Sequence, residues 1–314
     1  MDRVAIPITD PNYQHIIQSV DKVIDEILYI NERELIEYGR YVEKFPTDFY
    51  RGVLILMWRE SIEIADGIRS LVLGSSCNVI AILLRSLFEI YLGITFIFSD
   101  KEQVTKRALS YSAVNLFKRI ENYKRLDLSD STYEEFRKNL VFDIGKSIPS
   151  NFDVKAAREN LESIFEKYPE YAEVKKEYDK ILSKKRKNGR KQPQVQWYEL
   201  FGGCSSIFQL SELLNMKDFY LIVYDYFSRK SHGLDSTSNW VQGGLKNPKV
   251  PDLSELSSDV NLMLSFLSGI TRCILQFERP EQLQEFAQKH CAVRAKVAFI
   301  SNDLKQVQFT KYSC

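Results

Sequence analysis

Arg85 and Glu89 stand four residues apart in NVIAILLRSLFEIYLGITFIF, residues 78–98, an otherwise almost unbroken apolar stretch. On a helix that step puts both side chains on one face, with Asn78 two turns earlier on the same stripe. Buried charges persist only when paired and hydrogen-bonded. The stripe therefore has two readings: an internal salt bridge that fixes helix packing, or one wall of a cleft. A guanidinium oriented by a carboxylate in a cleft is suited to stabilising charge that develops on a phosphate.

A second constellation is YDYFSRKSHG, residues 224–233. Tyr224, Ser228 and His232 step by four, which makes a row of two hydroxyls and an imidazole on one helix. Gly233 is a natural residue just past a helix end, so His232 falls in the last turn, where the dipole favours a protonated imidazole. Such a residue can donate a proton to a phosphate or bind one; the competing reading is a helix-capping histidine beside core tyrosines. A third feature is the basic run Lys184, Lys185, Arg186, Lys187, Arg190 and Lys191, read either as a solvated loop or as a phosphate-contacting patch for nucleic acid.

These residues need elements to hold them. Helical periodicity dominates the chain, Gly and Pro are few, and alternating runs of the β type are scarce. The expected fold is all-α: one helical bundle with a long N-terminal helix and a charged helical insertion. Residues 1–45 hold the N-terminal amphipathic helix, with Ile16, Ile17, Val20, Val23, Ile24, Ile27 and Leu28 on one side. Residues 46–126 and 197–298 form the core, 127–196 the insertion, and 299–314 a C-terminal tail. Thr47 is the expected cap of a second helix that Gly74 ends, and Ser129 or Ser131 is expected to cap the start of the insertion. Arg59, Glu60, Glu63, Asp66 and Arg69 on that second helix read as a solvated face, with Glu63 and Asp66 as alternative members of an acidic cleft.

Composition bounds the function. Hydrophobic residues make up 44% and charged residues 27% of 314, and the net charge is +1, which excludes a global basic field and leaves room only for local nucleic-acid contact. Residues 78–98 are long enough to cross a bilayer. The central charges oppose insertion, however, and the flanks carry no one-sided Lys/Arg excess, so no membrane span is expected. Five scattered cysteines without CxxC spacing, and an N-terminus without an apolar signal core, lead to the expectation of a reduced, cytoplasmic protein. With only three histidines and no metal or nucleotide fingerprint, neither metal nor cofactor is expected.

NVIAILLRSLFEIY followed by YDYFSRKSHG resembles a group of uncharacterised bacterial helical proteins, catalogued as a domain of unknown function, in which an Arg/Glu core helix precedes a Tyr/Ser/His helix. A looser likeness is to HEPN-type helical domains, many of them metal-independent RNases of phage defence and toxin systems. Those place their arginine further ahead of the histidine than Arg229, which stands three residues before His232. The resemblance implies a protein of defence or toxin type acting on RNA or a nucleotide. In that scheme His232 is general acid or base, Arg85 stabilises phosphate charge, Glu89 orients Arg85, and Tyr224 and Ser228 position substrate. The alternative is a non-catalytic binding or interaction module with a structural charge pair. A homodimer through the long N-terminal helix is open to either. The site reading further expects the two helices to pack side by side, with Tyr224, Ser228 or His232 touching Arg85 or Glu89.

Overall fold

The computed structural model describes residues 11–74, 79–127, 129, 138, 153–187, 194–226 and 256–312, and among these there is no strand. The fold is all-α. The α-helices are α1 (Pro11–Val42), α2 (Phe49–Leu73), α3 (Ile80–Phe98), α4 (Val104–Leu126), α5 (Val154–Lys167), α6 (Pro169–Lys187), α7 (Ile207–Leu213), α8 (Lys217–Tyr220), α9 (Leu256–Glu278) and α10 (Leu283–Tyr312). A π-helical turn, Leu221–Tyr226, follows α8 directly.

The chain divides into two compact units, one of residues 1–99 and 211–314, the other of residues 100–210. In the first, α9 is the central helix and packs on α1, α2, α3 and α10, while α1 also packs on α2 and α10. The reason lies in the side chains. The apolar stripe of α1 is buried as its spacing predicts. Along α9, by contrast, Val260, Met263, Leu264, Phe266, Leu267, Ile270, Ile274 and Leu275 are all buried, covering more of the helix than one stripe would. Helices α3 and α9 are long and apolar enough to cross a membrane by length and composition, a test that core helices also pass, and more than half of each apolar window is buried inside the protein.

Two contacts fix how α9 meets its neighbours. Asn31 of α1 and Thr271 of α9 form a buried pair, Thr271 Oγ1 donating to Asn31 Oδ1 at 2.5 Å while Asn31 Nδ2 donates to the Ile27 carbonyl at 2.7 Å. Gly269 lets the Tyr91 ring of α3 lie against the α9 backbone, since a Cβ there would come within 2.4 Å of the ring.

Local details depart from the sequence expectations. Asp48, not Thr47, is the residue before α2, and it makes no capping bond because its carboxylate pairs with Arg51. Gly74 does end α2, its N–H donating to the Ser70 carbonyl at 2.9 Å. The last helix runs on to Tyr312 in place of a tail from 299, as no Gly or Pro interrupts it after Leu283. Of the expected insertion caps, Ser131 lies outside the described residues, while Ser129 donates to Asp127.

The second unit holds α4, α5, α6 and a 3-10 segment, Trp197–Gly202. Its core is aromatic: Phe117 stacks on Phe165 at 4.6 Å and meets Tyr178 at 4.3 Å. Arg158 pairs with the nearly buried Asp127 at 3.0 Å. The expected boundary at 126/127 falls inside this unit, because α4 packs with α5 and α6.

Candidate functional site

Arg85 and Glu89 lie on one face of α3, and the π-helical turn packs on that helix. Behind them Phe88 is fully buried, with ring centroids 5.3 Å from Phe266 of α9 and 6.4 Å from Phe219 of α8. Phe219 and Phe266 are 5.5 Å apart. This aromatic floor ties three helices together directly beneath the polar pair, holding its backbone rigidly.

On that floor Glu89 Oε1 accepts two hydrogen bonds, one from Arg85 Nε at 3.3 Å and one from the Tyr224 hydroxyl. The Arg85 guanidinium sits 4.2 Å from the Tyr224 ring centre, a cation–π contact. Tyr220 stacks on the same ring at 4.6 Å with planes 11° apart. The phenol of Tyr224 is thus fixed by a carboxylate at its hydroxyl, and by a guanidinium and a second phenol against its ring. Burial first, and then the Glu89 carboxylate, push the Tyr224 phenol well above its ordinary pKa, so it remains a proton donor. Burial works against the Arg85 charge, but Tyr224 and Glu89 outweigh it and hold the guanidinium above its ordinary value.

The pair is not sealed. The side chains of Arg85 and Glu89 keep 36% and 42% of their surface in solvent. Val79, just before α3, and Ile82, Ser86 and Glu89 on it form an exposed stripe on a helix whose other residues are buried or half-buried. The reading of a fully internal salt bridge is therefore corrected: α3 is a core helix with one open edge, and the charge pair stands on it. The row carrying Tyr224 also differs from expectation. As far as Tyr226 the stretch is not one α-helix: α8 stops at Tyr220 and the chain widens into the π turn. Such turns are rare and occur frequently at functional sites.

Of the residues singled out from the sequence, Arg85, Glu89 and Tyr224 come together, whereas Ser228, His232 and Asn78 lie outside the described residues. In the basic run, Arg190 and Lys191 lie outside as well. Lys184, Arg186 and Lys187 are exposed in the last turn of α6, where cations favour the helix dipole. Lys185 is engaged within its own unit: its Nζ donates to the Gln194 carbonyl at 2.6 Å and pairs with Glu199 at 2.5 Å. Arg59 and Glu63 form an exposed pair at 2.8 Å, and Arg69 joins α2 to Asp21 of α1 at 2.6 Å. No group of three or more His, Cys, Asp or Glu among the described residues could hold a metal ion.

One cluster escaped the sequence reading. Glu278, the last residue of α9 with a side chain 1% exposed, accepts from Tyr50 Oη at 2.9 Å and Arg51 Nε at 2.7 Å. An acid at a helix C-terminus and a cation in the first turn of α2 each oppose the local dipole. Two such misplaced charges are the signal that each stands opposite the other.

A model of a family of unknown function matches residues 51–244, which take in α2, α3, α8 and the π turn. No curated protein and no solved structure matches the chain.

Proposed function

The chain belongs to the family of unknown function DUF5677, and for this member we propose a cytoplasmic, RNA- or nucleotide-directed protein of defence or toxin type whose site is built on Arg85, Glu89 and Tyr224. The observation that carries the reading is that Arg85 is oriented by Glu89 and the Tyr224 ring, yet keeps 36% of its side chain in solvent. Such an arginine can receive a phosphate without first being reorganised. In the catalytic form of the proposal, Arg85 stabilises phosphate charge and Glu89 positions it. Tyr224, whose proton is held by Glu89, and Ser228 position substrate, and His232 acts as general acid or base in phosphodiester cleavage without a metal. Lys184, Arg186 and Lys187 supply sequence-independent contact to a nucleic-acid backbone.

The second reading, a non-catalytic module, has its own support: Arg85 and Glu89 already neutralise each other, and the Tyr224 hydroxyl is engaged by Glu89. In that case the trio is a clasp between α3 and the π turn. Incubating labelled single-stranded RNAs with and without EDTA separates the two. The catalytic proposal expects cleavage that survives EDTA and disappears in His232→Ala and Arg85→Ala. Intact RNA throughout, with Arg85→Ala lowering only the melting temperature, supports the clasp.

A further inference from the structure

Away from that site, five buried side-chain polar atoms in the unit of residues 1–99 and 211–314 have no hydrogen-bond partner among the described residues: Tyr38 Oη, Trp58 Nε1, Arg279 Nη1, Gln282 Oε1 and His290 Nε2. Three of them share a corner: the ring of Tyr41 lies 6.1 Å from that of Tyr38 and under the guanidinium of Arg279, which follows α9, and Tyr38 faces Trp58 of α2. Tyr38 and Trp58 are completely buried, with rings 5.8 Å apart. The ring of Tyr41 has the Arg51 guanidinium 5.8 Å from its centre and that of Arg279 at 5.7 Å. Glu278 completes the corner through its bonds to Tyr50 and Arg51.

A buried polar group left unsatisfied is costly, and three in one corner would weigh heavily against a domain's small net stability. Side chains of this kind are retained where something meets them. The corner itself selects what that is. The three atoms can donate and the Glu278 carboxylate accepts, so an occupant that joins them must do both. Arg51 pairs with Glu278 and Asp48, and Arg279 with Glu281 at 3.4 Å, so two cations face three carboxylates; the corner has no excess positive charge for an anion, and unpaired N–H and O–H donors do not coordinate a cation. Tyr38 completes the case: it makes no hydrogen bond to Glu278, yet the charge of Glu278 acts on it. Burial first, and then that carboxylate, raise its pKa far above the ordinary value. The geometry agrees: Tyr41, beside Tyr38, carries over its ring the Arg51 guanidinium that is bonded to Glu278.

We infer that this corner is a binding site for internal water, which both donates and accepts hydrogen bonds, a cluster bridging Tyr38 Oη to the Glu278 carboxylate and reaching Trp58 and Arg279. Buried waters of this kind make about three bonds each and form a permanent part of the structure.

Tyr38→Phe keeps the ring and removes only the hydroxyl, so the sign of its effect is diagnostic. A bridged hydroxyl predicts a melting temperature lower by about 2–4 °C. A truly orphaned one predicts a rise, and that result overturns the inference. A high-resolution crystal structure gives a readout independent of the variant's folding. Non-protein density within hydrogen-bonding distance of Tyr38 Oη supports the site, whereas a direct Tyr38–Glu278 bond overturns it. Density that appears only with added acetate or phosphate contradicts the neutral occupant.

Discussion

Glu89 Oε1 is the atom on which the proposed site turns, since Arg85 and Tyr224 both donate to it. Removing the Tyr224 hydroxyl should free that carboxylate to follow solvent without disturbing the aromatic floor. Tyr224→Phe is therefore expected to reduce RNA cleavage at least tenfold while the melting temperature changes little, measured by turnover and thermal unfolding on the same preparation. Arg85→Lys keeps the charge but loses the flat face against the Tyr224 ring, and should weaken nucleotide binding about two- to fivefold. A different residue governs acid stability. His290 is buried, its Nε2 has no partner among the described residues, and burial, followed by Arg294, lowers its pKa to about 4 from an ordinary 6.5. The unfolded chain thus binds the proton first as pH falls. The neutral His290 contributes its full stability above about pH 6.5 and loses it between there and pH 4, at up to about 1.4 kcal/mol per pH unit. Denaturant unfolding across that window should show a shallower slope for His290→Gln than for wild type; equal slopes would remove His290 from the account.

At the level of elements, the approach of α3 to α9 depends on Gly269, where a methyl group would meet the Tyr91 ring. Gly269→Ala improves helix propensity by about 1 kcal/mol but overpacks the contact by about 1–3 kcal/mol. The expected result is a net loss of stability in chemical unfolding, and a gain would mean that the ring moves aside freely. The helices themselves were legible because their apolar spacing is regular: Ile16 to Leu28 on α1 and Leu54, Met57, Ile68 and Val72 on α2 are buried as expected. The Arg85–Tyr224 meeting was also legible, because a polar stripe on an apolar helix needs partners that aliphatic neighbours cannot supply. The open edge beside Arg85 was not, since Val79 and Ile82 are apolar and exposed, and hydrophobic residues inside is a one-way rule. Nor was the π turn, for LIVYDY carries no composition that separates a wide turn from an α-helix. The Glu278–Arg51 pair escaped because its signal depends on the exact helix ends, the part of a helix that sequence defines least well.

Across the whole molecule, two compact units each carry a core of their own, with Phe165, Tyr171 and Val174 buried in the one of residues 100–210. Effects confined to separate cores should add. Phe165→Ala is expected to lose about 3–5 kcal/mol of local stability. Hydrogen exchange should register the loss in α4, α5 and α6 while leaving the protection of α1, α2 and α9 unchanged. The central claim, that the Arg85–Glu89–Tyr224 trio receives phosphate and is more than a clasp, is tested most directly by titrating a labelled single-stranded RNA against wild type and Arg85→Gln at a temperature where both are folded. The account predicts saturable binding by wild type that falls at least tenfold in Arg85→Gln. Equal affinities, or no binding by the folded wild type, would contradict it.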